Sequence, residues 1–241
     1  MIFSVWYSSP IDSVELDRYY IDMPEMLFWD CDGTIVNSGP YYFAATGQIL
    51  TECGIQVPQN FFEVQYMQNH RSAFDYARSR GMDEQTIQIL KKKRNVLYED
   101  MLQGDIPLMD GAMETLTSLS KSYRMAMVSN SRRKHLDQIL DRCLLRPLFE
   151  FTLASEDFAK EKPAPDPYIT ALQRSGLAPG ECIAIEDSVF GIQSATRAGL
   201  FCIAIHKTMD ESKTPAHKVI RTIRELSVFL LEDLVSYKPQ K

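Results

Sequence analysis

The feature that most constrains this chain is a pair of aspartates directly after a short apolar run. The run Met26–Trp29 leads into the segment Asp30–Thr34, which reads Asp-Cys-Asp-Gly-Thr. An apolar run of this length that ends in a glycine turn predicts a buried strand. Ligands bind at the carboxyl ends of strands in open parallel sheets. Because two neighbouring carboxylates repel each other unless a cation or a proton intervenes, the segment predicts a site for a metal and a phosphate.

Three further polar clusters follow later apolar runs. They are Ser129-Asn130-Ser131 after Met125–Val128, the proline-rich segment around Lys162 after Phe151–Ala154, and Glu186-Asp187 after Cys182–Ile185. The serine cluster is interpreted as the start of a helix, whose free backbone N–H groups favour an anion. Taken singly, each cluster is common in turns and helix caps. Their shared placement after apolar runs favours one common site.

The order of these clusters resembles the four motifs of the haloacid dehalogenase superfamily of phosphohydrolases and phosphotransferases. The resemblance runs from about Met26 to Leu200. The segment Glu186–Ile192, which reads Glu-Asp-Ser-Val-Phe-Gly-Ile, is similar to the branch with β-phosphoglucomutase, sugar phosphatases and phosphoglycolate phosphatase. The resemblance implies an α/β fold, in which a Rossmann-like parallel-sheet core carries an inserted α-helical cap domain.

The positions of glycine and proline residues indicate where the cap begins and ends. Helical signals without a convincing strand extend from Gln48 to Gln103, and Gly-Pro-rich segments at 37–40 and 106–111 fit two crossing linkers. We predict a cap domain at 38–106, a core domain at 26–37 and 107–241, and an N-terminal extension at 1–25. Four glycines followed by an apolar residue are predicted to end helices: Gly54, Gly81, Gly176 and Gly199.

The resemblance also implies catalytic roles. Asp30 is expected to be the nucleophile that forms an aspartyl-phosphate, and Asp32 the general acid and base. Ser129, Asn130 and Lys162 are expected to hold the transferring phosphoryl oxygens, and Lys162 also to offset the charge of Asp30.

A magnesium ion is the expected cofactor, because hard oxygen ligands suit Mg²⁺. By resemblance, its ligands are the Asp30 carboxylate, the Asp32 backbone carbonyl, Asp187 and Glu186.

Two basic features of the predicted cap receive different interpretations. Arg71, which precedes the helix-like stretch 72–80, is the candidate for a substrate contact. The basic run Lys91–Arg94 is interpreted as the solvent-exposed face of a helix.

Composition limits the classes of molecule that the protein is expected to bind. The net charge of -6 gives no electrostatic reason to expect nucleic acid or an anionic membrane, and no apolar run approaches membrane-spanning length. Five widely spaced cysteines suggest thiols in a reducing compartment. The first ten residues carry neither Lys nor Arg, unlike a signal peptide. We expect a cytoplasmic monomer that acts on a small phosphorylated metabolite.

The predicted function is that of a Mg²⁺-dependent phosphatase acting on a sugar phosphate or similar monoester. β-Phosphoglucomutase has a histidine ten residues after its second aspartate, and Tyr42 stands there in this chain, which favours a phosphatase over a mutase. The alternatives are a phosphomutase of that type and a catalytically idle regulatory protein that uses its first 25 residues for interaction. The presence of all the core motif residues weighs against an idle protein, and the acidic metal site against a dehalogenase.

Overall fold

A parallel β-sheet forms the centre of the protein in this computed structural model, which describes residues 24–58, 61 and 72–230. Its strands are Met26–Trp29 (β1), Arg124–Val128 (β2), Phe151–Leu153 (β3), Cys182–Glu186 (β4), Phe201–Ile205 (β5) and Lys218–Ile220 (β6). The spatial order is β3-β2-β1-β4-β5-β6, and all neighbouring pairs are parallel. The four strands predicted from apolar runs are confirmed, whereas β5 and β6 were not predicted individually.

The central strands are buried on both faces, as is typical of parallel sheets covered by helices. The described helices are Gly39–Glu52 (α1), Ala73–Ser79 (α2), Glu84–Met101 (α3), Ala112–Leu119 (α4), Arg133–Arg142 (α5), Asp166–Ser175 (α6), Val189–Arg197 (α7) and Glu225–Val228 (α8). Leu27 and Trp29 of β1 pack in one apolar cluster with α4, α5 and α8. Met26 and Phe28 pack in a second cluster with α6 and α7. This two-sided covering confirms the predicted Rossmann-like core.

Helices α1, α2 and α3 lie between β1 and β2 in the chain and have a small apolar cluster of their own. Its members include Ile49, Leu50, Phe74, Ala77, Ile87 and Leu90. The predicted helical insertion is therefore confirmed. The exact boundaries of the predicted cap, 38–106, stay a prediction.

The two segments that join the cap to the core run side by side. Val36 pairs with Leu108 in an antiparallel bridge. The Asn37 N–H donates to the Pro107 carbonyl at 2.8 Å, and the Met109 N–H donates to a carbonyl on the first segment at the same distance. The cap is thus attached through a short two-stranded ribbon.

The four predicted helix-ending glycines have the left-handed conformation, with φ of 76° at Gly54, 91° at Gly81, 74° at Gly176 and 81° at Gly199. Most of the predicted N-terminal extension, residues 1–23, lies outside the described residues, as does the end of the predicted core domain, 231–241. Within the described part of the chain, no helix has the length and apolar character needed to cross a bilayer.

Candidate active site

The candidate site lies where strand order reverses, at the carboxyl ends of β1 and β4. The chain first adds β2 and β3 on one side of β1 and then crosses to β4 on the other. Trp29 pairs with Ile185 across these strands, and the Asp30 N–H donates to the Ile185 carbonyl at 3.0 Å. Glu186, which ends β4, therefore lies beside Asp30. Such a reversal point is where open α/β sheets bind ligands.

Lys162 is buried between two of the carboxylates. Its Nζ lies 2.7 Å from Asp30 Oδ1 and 2.6 Å from Glu186 Oε1, and it donates to the Val128 carbonyl at 2.7 Å. These contacts match the three donors of an ammonium group. Burial alone would lower the pKa of Lys162, but the attraction and hydrogen bonds of the two carboxylates outweigh it and raise the pKa. Lys162 is thus a fixed positive charge next to Asp30.

The Asn130 side chain holds the loop that carries this lysine. Asn130 Nδ2 donates to the Lys162 carbonyl at 3.2 Å, and the Lys162 N–H donates to Asn130 Oδ1 at 3.0 Å. Both ends of the amide are therefore bonded to the backbone of Lys162. The assignment of Asn130 to the substrate stays a prediction, and its observed contacts position Lys162.

Glu186 is completely buried, and its environment is built by residues that sequence reasoning did not single out. Tyr168 Oη donates to Glu186 Oε1 at 2.6 Å, whereas Glu186 Oε2 has no hydrogen-bond partner within the described part of the chain. Burial raises the pKa of Glu186, and Lys162 opposes this effect. A Cβ at Gly191 would lie 1.9 Å from Oε2, so only glycine leaves room for the carboxylate. In the sequence, the glycine of the Glu-Asp-Ser-x-x-Gly motif was the one feature that pointed to this close packing of Gly191 against Glu186.

Asp187 completes a group of three carboxylates with Asp30 and Glu186. Oxygens of the three side chains lie within 4.8 Å of one another. Burial, followed by the charges of Asp30 and Glu186, raises the pKa of Asp187 well above its ordinary value. Gly33, with φ of 94°, leaves space for Asp187, because a Cβ there would lie 2.1 Å from Asp187 Oδ2.

This donor set fits a hard divalent cation. Three carboxylates face one another with a single lysine between two of them, and Glu186 Oε2 is a buried acceptor without a donor among the described residues. Oxygen-only ligands of this kind are those that Mg²⁺ prefers. Asp30, Asp187 and Glu186 are the residues that would hold it. The part assigned to the Asp32 backbone carbonyl stays a prediction.

The Asp32 carboxylate is surrounded by hydroxyl groups. Ser131 Oγ and Ser129 Oγ donate to Asp32 Oδ2 at 2.7 and 3.3 Å, and Ser38 Oγ donates to Oδ1. Hydroxyl donors stabilise a carboxylate and fix its orientation. Ser38 and Ser131 were missed as site residues, although both lie in segments that the sequence drew attention to.

The serine cluster does not open a helix, contrary to the prediction. Helix α5 begins at Arg133, and Ser129–Ser131 forms a loop between β2 and this helix. The Ser131 N–H donates to Ser129 Oγ at 3.0 Å. Such local side-chain bonds compete with helical backbone bonds, which explains the delayed start.

Tyr98 brings the cap into contact with the site. It is buried on α3, and its hydroxyl lies close to Ser38. Its ring meets Tyr42 edge-on with 5.5 Å between centroids, and His135 of the core at 5.0 Å. A cap side chain therefore lies beside the expected acid and base.

The two predictions for basic cap residues have different outcomes. Arg71 lies outside the described residues, and its role stays a prediction. The interpretation of Lys91–Arg94 as a solvent-exposed face is wrong for Arg94, which is only 8% exposed. The helical period places Arg94 on the buried face with Leu90 and Tyr98, away from the exposed Lys93.

Comparison with known proteins gives a family match. A family model described as haloacid dehalogenase-like hydrolase matches residues 27–205. Protein CbbY of Rhodobacter capsulatus is 34% identical over 125 residues, which cover 50% of this chain and 55% of that protein. The chain thus spans about half the length of this relative. Fructose-1-phosphate phosphatase YqaB of Escherichia coli K12 is 27% identical over 184 residues, covering 74% of this chain and 95% of that protein.

A solved structure shows the same fold. The crystal structure of a predicted phosphoglycolate phosphatase from Haemophilus somnus 129PT superposes with a TM-score of 0.75 at 21% identity. The superposition covers 85% of this chain and 96% of that one.

Proposed function

Because the chain belongs to the haloacid dehalogenase-like hydrolase family, we propose that it is a Mg²⁺-dependent phosphatase that hydrolyses a small phosphate monoester through an aspartyl-phosphate. The family match confirms the resemblance drawn from the sequence and the enzyme class, a hydrolase of this superfamily. The observation that carries the proposal is the buried contact of Lys162 with both Asp30 and Glu186, with Asp187 beside them. A phosphate dianion repels an attacking carboxylate, and this arrangement supplies the compensating charge.

Asp30 is the proposed nucleophile. Lys162 holds Asp30 Oδ1 at 2.7 Å, so the other carboxylate oxygen attacks phosphorus. The new bond joins this oxygen to phosphorus as the bond from phosphorus to the leaving oxygen breaks. Water then attacks the same phosphorus, which releases inorganic phosphate and restores the Asp30 carboxylate. When bound among Asp30, Asp187 and Glu186, Mg²⁺ supplies positive charge that stabilises the phosphoryl oxygens.

Asp32 is the proposed general acid and base. In the first step it gives its proton to the leaving alkoxide, and in the second it takes a proton from the attacking water. The hydroxyls of Ser38, Ser129 and Ser131 orient its carboxylate for both transfers. Ser129 Oγ, which lies 3.3 Å from Asp32 Oδ2, is also the hydroxyl that we propose binds a phosphoryl oxygen of the substrate.

The names of the relatives support a small phosphorylated metabolite as substrate. They include a fructose-1-phosphate phosphatase and a predicted phosphoglycolate phosphatase, which differ in the group that leaves. Monomeric state and cytoplasmic location stay predictions.

The proposal is tested with a panel of small phosphate monoesters, assayed for phosphate release with Mg²⁺ and with excess chelator. We expect Mg²⁺-dependent release from at least one of them, and full activity in chelator would refute the metal assignment. A parallel assay on glucose 1-phosphate with a bisphosphate primer distinguishes a phosphomutase from a phosphatase. Formation of glucose 6-phosphate without phosphate release would replace the phosphatase proposal by the phosphomutase. A complete lack of turnover and of Mg²⁺ binding would favour the idle regulatory protein.

A further inference from the structure

Arg94 of helix α3 is a buried cation without an anionic partner in the described residues. Its Nε donates to Asn95 Oδ1 at 2.9 Å, and its Nη1 donates to Thr46 Oγ1 at 3.5 Å. The guanidinium carbon lies 4.1 Å from the centre of the Tyr42 ring. No carboxylate of the described residues lies within 4.0 Å of the guanidinium, and Nη2 has no hydrogen-bond acceptor among them.

A largely buried charge without an ion-pair partner is unfavourable unless a countercharge arrives. The rings of Tyr42 and Phe74, whose centres lie 4.1 and 5.8 Å from the guanidinium carbon, compensate only in part, because a cation–π contact is weaker than a desolvated ion pair. Arg78 shows the usual arrangement in the same cap, since it pairs with both Asp75 and Glu84 at the surface. The planar fork of a guanidinium matches carboxylate and phosphate oxygens, so the missing partner of Arg94 has this chemistry.

The position of Arg94 relates it to the leaving group. Arg94 and Tyr98 are four residues apart on one face of α3, which separates them by about 6 Å along the helix. The Tyr98 hydroxyl lies close to Ser38, which donates to the Asp32 carboxylate. The Tyr42 ring that lies against Arg94 also meets the Tyr98 ring, and Tyr98 in turn meets His135 of the core helix α5, so Arg94 lies near the boundary between cap and core.

Resting on the proposed function, we propose that Arg94 binds a second anionic group of the substrate, carried by the part of the molecule that leaves. Asp32 protonates the leaving oxygen, so the remainder of the leaving group extends toward Tyr98 and Arg94. The substrate class is then a phosphate monoester with a carboxylate or a second phosphate. Arg94 is in this view a specificity-determining residue that takes no part in the chemical steps.

The experiment compares matched substrates in the full chain. One arm pairs 2-phosphoglycolate with 2-hydroxyethyl phosphate, which lacks the carboxylate. The other arm pairs fructose 1,6-bisphosphate with fructose 1-phosphate, which lacks the second phosphate. In each arm the ratio of kcat/KM for the ester with the second anionic group to that for the ester without it is measured in the wild type, Arg94→Met and Lys93→Met. Lys93→Met is the matched control, because it removes one positive charge from an exposed position of the same helix.

We expect a wild-type ratio of at least about ten in one arm, since a buried polar site left unpaired discriminates strongly. The arm that shows it identifies the anion. The ratio should fall to about one in Arg94→Met and stay at the wild-type value in Lys93→Met. Arg94→Lys keeps the positive charge but lacks the planar guanidinium, so it should give an intermediate ratio. This variant replaces Arg94→Met as the test if Arg94→Met does not fold. A wild-type ratio near one in both arms, or an unchanged ratio in the Arg94 variants, overturns the proposal.

If the proposed function is wrong, none of the four esters is turned over, and this outcome is distinct from a failure of the Arg94 proposal. In that case the shift of the melting temperature by each of the four compounds is compared in the wild type and Arg94→Met. A shift that appears only with a compound carrying the second anionic group, and only with Arg94 present, supports the anion site. Equal shifts in both proteins, or no shift in either, refute it.

Discussion

The carboxylate of Glu186 occupies the space that a methyl group on Gly191 would fill. A Cβ at Gly191 would lie 1.9 Å from Glu186 Oε2 and 2.0 Å from its carboxyl carbon. Glu186 is fixed on the other side by Tyr168 and Lys162, so it has no free direction in which to move. The glycine is therefore a requirement of the carboxylate cluster, although it lies in a helix.

Gly191→Ala is expected to lower the free energy of unfolding by about 1–3 kcal/mol, because overpacking forces buried side chains to shift. In an unconstrained helix the same change is favourable by about 1 kcal/mol. Gly47 of α1 provides the control, since nothing lies within 4 Å of a Cβ there. Urea unfolding of both variants measures the difference. Equal effects of Gly191→Ala and Gly47→Ala would contradict the packing argument.

Asp30→Asn is expected to lower kcat by about a thousandfold or more while the protein stays folded, because an amide cannot form the acyl phosphate. The measurement is phosphate release, with circular dichroism as the check on folding. Asp100→Asn, at an exposed position of α3, should leave kcat unchanged. Near-wild-type turnover of Asp30→Asn would require another nucleophile.

Lys162→Met is expected to destabilise the protein by about 3–5 kcal/mol, because it leaves Asp30 and Glu186 buried without their cation. It should also reduce kcat/KM for every phosphate ester, since the phosphoryl group is common to them all. Lys160→Met, at an exposed site in the same loop, is the control. If Lys162→Met impaired one ester and spared another, the lysine would serve the leaving group instead.

His217 makes stability depend on pH. Burial lowers the pKa of His217 to about 4, compared with about 6.5 in the unfolded chain. Between these values the unfolded chain binds the proton and the folded protein does not. The stability contributed by neutral His217 is therefore complete above about pH 6.5 and is lost as the pH falls toward 4, by about 2–3 kcal/mol.

The measurement is urea unfolding at pH 7.5 and pH 5 in the wild type and in His217→Asn. The Cys202 N–H donates to His217 Nδ1 at 3.1 Å, and an asparagine oxygen can accept the same bond. The wild type should lose more stability than the variant between the two pH values. Parallel losses would assign the pH dependence to other groups.

The parts of the fold that were predictable are those with local signals. Strands β1 to β4 consist largely of apolar residues, as does β5, whereas β6 is only three residues long and begins with Lys218. The proximity of Asp30, Glu186 and Asp187 was predictable because parallel strands end at one edge of a sheet. Their catalytic roles stay predictions.

Other parts of the site depend on contacts between distant segments, for which the sequence carries little local signal. Tyr168 belongs to the helix after the lysine loop, and nothing in its neighbourhood shows that it reaches Glu186. Ser38 bonds with Asp32 because the linker folds back over the turn. Arg94 was hidden in a basic run, where only the helical phase distinguishes it from its exposed neighbours.

The paired linkers between cap and core determine how the two parts can move. Asn37 and Pro107 are hydrogen-bonded across the linkers, so one cannot swing while the other stays still. Ser38 follows at once, begins the first cap helix, and donates to the Asp32 carboxylate. A displacement of the cap would therefore change the hydrogen bond from Ser38 to Asp32. The carboxylate that we propose transfers protons is thus linked through Ser38 to the domain above it, so its alignment depends on the position of that domain.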